Sequence, residues 1–88
     1  MYEIILSRQA AKDRSFLKQV GLEYKTKQLL AVIRENPFQN PPPYEALKGN
    51  LKGMYSRRIN YQHRLVYEVL EQERIIHVLR MWTHYGGF

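Results

Sequence analysis

The chain has 88 residues and a mass of 10.6 kDa, with 44% hydrophobic and 25% charged residues, which fits one small globular domain over 1–88 and excludes a wholly disordered chain. Fourteen Lys and Arg against eight Asp and Glu give a net charge of +6 and a pI of about 9.8, an imbalance that favours a polyanionic partner, nucleic acid or an acidic protein segment. Cysteine is absent, the N-terminus lacks the basic and apolar regions of a signal peptide, and no apolar run reaches the ~20 residues of a membrane span, so a cytoplasmic protein with no membrane partner is expected.

Residues 2–6 read as a strand, and Ser7 is suited to cap the helix that starts at Arg8. Ala10, Phe16, Leu17 and Val20 form its apolar stripe, and Gly21 is placed to end it. A second helix follows from Leu22, with Leu22, Leu29, Leu30, Val32 and Ile33 on its inner side, and stops near Asn36-Pro37. All four prolines lie in 37–43, which must be an extended connection between a helical half and a sheet half. Beyond Gly53, residues 54–59, 63–69 and 74–82 read as strands separated by short polar breaks. The order βααβββ predicts an α+β fold in which two helices cover one face of an antiparallel sheet, the first strand joining either edge.

With one face covered, alternation assigns the rest. If Leu65, Tyr67 and Val69 face the helices, Arg64 faces the open side. Arg57 and Arg58 are neighbours and must point to opposite faces; Arg58 is assigned to the open one. From Glu45 to Glu68 the chain carries Lys48, Lys52, Arg57, Arg58 and Arg64 with no acid between, a run suited to phosphate. Metal-free cleavage of RNA needs a base for the 2′-OH proton, an acid for the leaving 5′-oxygen and cations for the charged phosphorus. Glu45, the one acid between Asn36 and Tyr67, stands out as the base; His84 can serve as the acid; Arg64, supported by Lys48 and Arg58, can hold the phosphate with bidentate geometry. Each residue also has a plainer reading. Glu45 after prolines suits a helix N-terminus, His84 a solvated tail, His63 the surface and His77 strand packing, and Tyr44, Tyr55, Tyr61, Tyr67 and Tyr85 are cross-strand partners as readily as base-stacking platforms. The histidine spacing makes no metal pair, and no cofactor is implied.

The combination Glu45-x-Leu47-Lys48-x-Asn50-Leu51, Ser56-Arg57-Arg58-Ile59 and His63-Arg64-Leu65-Val66-Tyr67, with His84-Tyr85 near the end, resembles the YoeB/Txe branch of the RelE-like toxins. The resemblance covers 44–85 well and the helical half in general layout. It implies a RelE-like microbial RNase fold and cleavage of messenger RNA in the ribosomal A site by the toxin of a type II toxin–antitoxin pair. By the same carry-over Glu45 is the general base, Arg64 stabilises the phosphate, His84 is the general acid, Tyr85 contributes, and Lys48 and Arg58 lie on the phosphate-binding side; Lys52 and Arg57, from the same basic run, are expected as further phosphate-binding cations. The implied partners are message on the ribosome and a YefM-type antitoxin with an acidic tail; operator DNA is reached only through the antitoxin complex, and a homodimer is compatible with the family. Two features depart from the pattern: Met54-Tyr55 stands where a bulkier aromatic pair is common, and Gly86-Gly87-Phe88 extends past the His-Tyr pair. The rival readings are a non-catalytic RNA- or ribosome-binding module and an inactive homologue that binds an antitoxin.

Overall fold

The computed structural model describes residues 1–82. Strand β1 (Glu3–Leu6) leads into helices α1 (Arg8–Gln19) and α2 (Glu23–Glu35), followed by strands β2 (Glu45–Ala46), β3 (Met54–Arg58), β4 (Arg64–Leu70) and β5 (Ile75–Arg80), with a short 3-10 turn over Gly49–Leu51. The expected βααβββ order is present, with the two-residue β2 added at one edge. The sheet order is β1-β5-β4-β3-β2. Neighbours from β2 to β5 are antiparallel, but β1 lies parallel to β5, so the sheet is mixed.

Local chemistry accounts for the helix limits. Ser7 Oγ accepts from the Ala10 N–H at 2.9 Å and donates to the Leu79 carbonyl at 2.9 Å, so one hydroxyl caps α1 and ties it to the end of β5. Gly21, at φ 80, closes α1 in a left-handed turn: its N–H reaches the Lys18 carbonyl and the Leu22 N–H the Leu17 carbonyl. Helix α2 ends at Glu35 and is capped by Asn36, the residue before Pro37.

The core lies between the helices and the sheet. Leu17 and Ile33 meet Leu65, Tyr67, Ile76, Val78 and Met81, all buried. Burying each such side chain contributes about 1.5–3 kcal/mol, which makes this layer the main source of stability. Two expected core residues of α1 sit outside it: Phe16 and Val20 are 43% and 55% exposed. The face of α1 is instead set by Asp13, fully buried, whose Oδ2 accepts from Arg80 Nε at 2.9 Å and from the Met81 N–H at 3.0 Å, while Oδ1 accepts from Gln9 at 3.0 Å. Burial alone would raise the Asp13 pKa, but the hydrogen bonds from Met81, Arg80 and Gln9 outweigh it and hold the carboxyl below its usual range. No helix among the described residues is long and apolar enough to cross a membrane.

Candidate active site

The proline segment is fastened by Arg57. Its side chain is 1% exposed and lies on the helix-covered side of β3. Nε donates to the Tyr67 hydroxyl at 3.0 Å, one terminal nitrogen to the Pro42 carbonyl at 2.6 Å, and the other to the carbonyls of Pro37 at 3.1 Å and Gln39 at 2.8 Å. The Tyr67 hydroxyl in turn donates to the Pro37 carbonyl at 2.7 Å. Prolines lack an N–H and cannot form a ladder of their own, so these carbonyls need donors, and the guanidinium fork supplies them. The Arg57 guanidinium also lies 5.0 Å from the centre of the Tyr44 ring, and Phe38, Tyr44, Tyr55 and Tyr67 are linked by ring contacts of 5.1 to 6.0 Å. This clamp delivers the chain to β2 with Glu45 opposite Ser56. Arg57 therefore corrects the sequence reading that counted it among phosphate-binding cations: its donors face main-chain carbonyls beneath the sheet. Glu45 is likewise in extended backbone, not at a helix start.

On the other face, alternation brings the predicted residues together. Glu45 pairs with Ser56 in β3, and Arg58 pairs with Arg64 in β4. Pro43, Tyr44, Glu45, Ser56, Arg58 and Arg64 line one open cleft of about 350 Å³. Two guanidinium groups and one carboxylate share it, so an anion entering meets bidentate donors next to an acceptor for a proton. Lys48 is exposed and borders Glu45 in a smaller adjoining depression with Leu47 and Leu51; Lys52 is exposed at the end of the 3-10 turn. The cleft thus gathers Glu45, Arg58 and Arg64, with Lys48 adjacent. His84 and Tyr85 lie outside the described residues.

Sequence reasoning missed Ser56, which lines the cleft at 2% exposure, and misjudged His63. His63 is 4% exposed and stacks on Trp82 with ring centres 4.2 Å apart, while Phe16 approaches the same indole at 5.3 Å. Burial lowers the His63 pKa, against a smaller raising effect of Asp13. The Pro-Tyr-Glu and Ser-Arg-Arg spacing carried the signal for Ser56, since a residue two before Arg58 shares its face. His77 is cross-strand as expected, with Nδ1 3.0 Å from Glu68 Oε1. Among the described residues no group of three or more His, Asp and Glu side chains could hold a metal ion.

The family described as the YoeB-like toxin of bacterial type II toxin–antitoxin systems matches residues 7–85. The chain is 39% identical to Toxin YoeB of Synechocystis over 64 residues, 73% of this chain and 67% of that one. It is 37% identical to Toxin YoeB of Streptomyces coelicolor over 67 residues, 76% and 73% of the two chains. Among solved structures it is similar to a chain of the YoeB–YefM complex from Staphylococcus aureus, with TM-score 0.81, 36% identity and coverage of 97% and 99%. It is also similar to a YoeB/ParE toxin from Agrobacterium tumefaciens, with TM-score 0.86, 27% identity and coverage of 94% and 99%.

Proposed function

The chain belongs to the YoeB family of toxins from bacterial type II toxin–antitoxin systems, and from that membership we propose that it is a ribosome-dependent endoribonuclease that cuts message in the A site without a metal. Glu45 takes the proton from the 2′-hydroxyl, which attacks the adjacent phosphorus. Arg64 and Arg58 stabilise the negative charge that gathers on the phosphoryl oxygens. His84, with Tyr85 beside it, protonates the departing 5′-oxygen, leaving a 2′,3′-cyclic phosphate and a 5′-hydroxyl. Lys48 and Lys52 bind flanking phosphates.

The observation that carries this reading is the shared cleft of Glu45, Arg58 and Arg64, one acceptor and two cations drawn from three neighbouring strands. A phosphate-binding module without chemistry has no use for a carboxylate among its cations, because that charge repels the ligand. The partner that restrains such a toxin is an antitoxin of the YefM type, the assembly named for the Staphylococcus aureus relative; the +6 charge suits an acidic segment laid over the same face. The toxin acts in the cytoplasm, where its ribosomes are.

The test is cleavage of message on programmed ribosomes by the full chain, by Glu45→Ala and by Arg64→Ala. The wild type cuts within the A-site codon and both variants are impaired. Intact message with the wild type, despite binding to the ribosome, would overturn the enzymatic reading and leave a binding module or an inactive antitoxin-binding homologue.

A further inference from the structure

The hydroxyl of Ser56 has no part in the chemistry above. Ser56 is 2% exposed and its Oγ is buried with no hydrogen-bond partner, a state shared by only one other side-chain atom among the described residues, His63 Nδ1. A buried hydroxyl without a partner is costly, and buried polar groups are ordinarily satisfied, so alanine would be the more stable occupant of this strand position. The location of the orphan is specific. Ser56 sits mid-strand in β3, directly opposite Glu45 on one side and Val66 on the other, and two residues from Arg58 on the same face. It lines the cleft with Glu45, Arg58 and Arg64. The arginines carry donors alone, so among the side chains that line the cleft the Glu45 carboxylate is the ionised acceptor for this hydroxyl. Directly opposed strand residues have Cβ atoms about 4.5–5.5 Å apart, within reach of a Ser–Glu hydrogen bond.

We propose that Ser56 is a positioning residue for Glu45 that engages when substrate binds. A phosphate in the cleft draws Arg58 and Arg64 onto itself. The Glu45 carboxylate then settles on Ser56: one oxygen accepts from Oγ, and the other is held toward the 2′-hydroxyl. The interaction is made in the loaded site and not in the free protein, which is the condition for it to raise turnover and not merely affinity. The unsatisfied hydroxyl is thus a cost carried by the empty protein at the place where catalysis uses it. This inference rests on the reading of the cleft as an RNase site.

The experiment measures steady-state cleavage on programmed ribosomes, and thermal unfolding, for the full-length wild type, Ser56→Ala and Ser56→Thr. Losing one hydrogen bond to a charged group lowers kcat of Ser56→Ala about tenfold. KM stays at the wild-type value, and Tm equals or exceeds that of the wild type because the orphan hydroxyl is gone. Ser56→Thr, which keeps the hydroxyl on a side chain suited to strands, restores most of the lost kcat. If the wild type cuts and Ser56→Ala matches its kcat, or if the fall in kcat comes with a lower Tm, the positioning role is overturned while the site stands. If the wild type itself fails to cut, the reading of the site falls and the inference with it.

Discussion

Arg57 and Arg58 are adjacent in sequence and opposite in circumstance. Arg57 is 1% exposed, with its guanidinium bonded to three carbonyls and a tyrosine hydroxyl beneath the sheet; Arg58 is exposed and lines a cleft with Glu45 and Arg64. A strand turns successive side chains to opposite faces, so two identical residues divide two tasks. One face of the sheet holds the chain together through buried, hydrogen-bonded polar groups. The other gathers Glu45, Arg58 and Arg64 around one open cleft. Arg57 and, from helix α1, Asp13 serve the first face, Glu45, Ser56, Arg58 and Arg64 the second, and substitutions on the two should fail in different ways.

The largest effect is expected on the open face and on activity alone. Glu45→Gln, which would remove the proposed base, is expected to lower cleavage on programmed ribosomes by about 10²–10⁴-fold, while circular dichroism melting leaves Tm where it was. Arg58→Lys likewise reduces cleavage and shifts stability by no more than about 0.5 kcal/mol, as surface changes do. A folding defect in either variant would break the division between the faces.

Arg57→Lys should do the reverse. A lysine carries the charge but not the fork, leaving buried carbonyls of the proline segment without donors, at about 3 kcal/mol and a fall in Tm of more than about 10 °C. A variant that melts like the wild type but no longer cuts would mean that Arg57 serves the ligand after all. Asp13→Asn is expected to cost about 2 kcal/mol in urea denaturation, since it takes the charge from the acceptor of Arg80 and Met81. Its pH signature sharpens the assignment. The folded-state pKa of Asp13 lies below the unfolded value, so the stability it contributes is present above about pH 4 and is lost as pH falls through the folded value. Asp13→Asn should flatten that acid-side loss.

The smallest effect concerns His63. Burial lowers its folded-state pKa, so the folded protein disfavours the proton: stability is intact above the unfolded value of about 6.5 and falls as pH drops from there toward the lowered folded value. The decline is absent in His63→Phe, which keeps an aromatic ring against Trp82. Equal pH profiles of Tm in the two proteins would show that the imidazole is not buried as described.

The parts of this molecule legible in sequence are those governed by local pattern. Ser7 announced α1, Pro37 the end of α2, and period-two alternation sent Arg64 and Arg58 to one face. The motif spacing then joined Glu45 to them. What escaped was set by partners far along the chain. Asp13 is buried because Arg80 and Met81, 67 and 68 residues on, satisfy it; Arg57 because the proline segment, 15 to 20 residues back, offers carbonyls; His63 because Trp82 covers it. The parallel pairing of β1 with β5 is of the same kind, since nothing within Glu3–Leu6 names its neighbour. Two residues of β2 are too few for any periodicity to reveal.

If the open cleft cuts RNA through attack by the 2′-hydroxyl, removing that one hydroxyl from the substrate must stop the reaction. A message with a single 2′-deoxy nucleotide immediately 5′ to the scissile phosphate is loaded on programmed ribosomes and exposed to the full chain. The all-ribose message should be cut to leave a 5′-hydroxyl, while the deoxy message stays intact with the toxin still bound to the ribosome. Cutting of the deoxy message at the same phosphate would contradict attack by the 2′-hydroxyl.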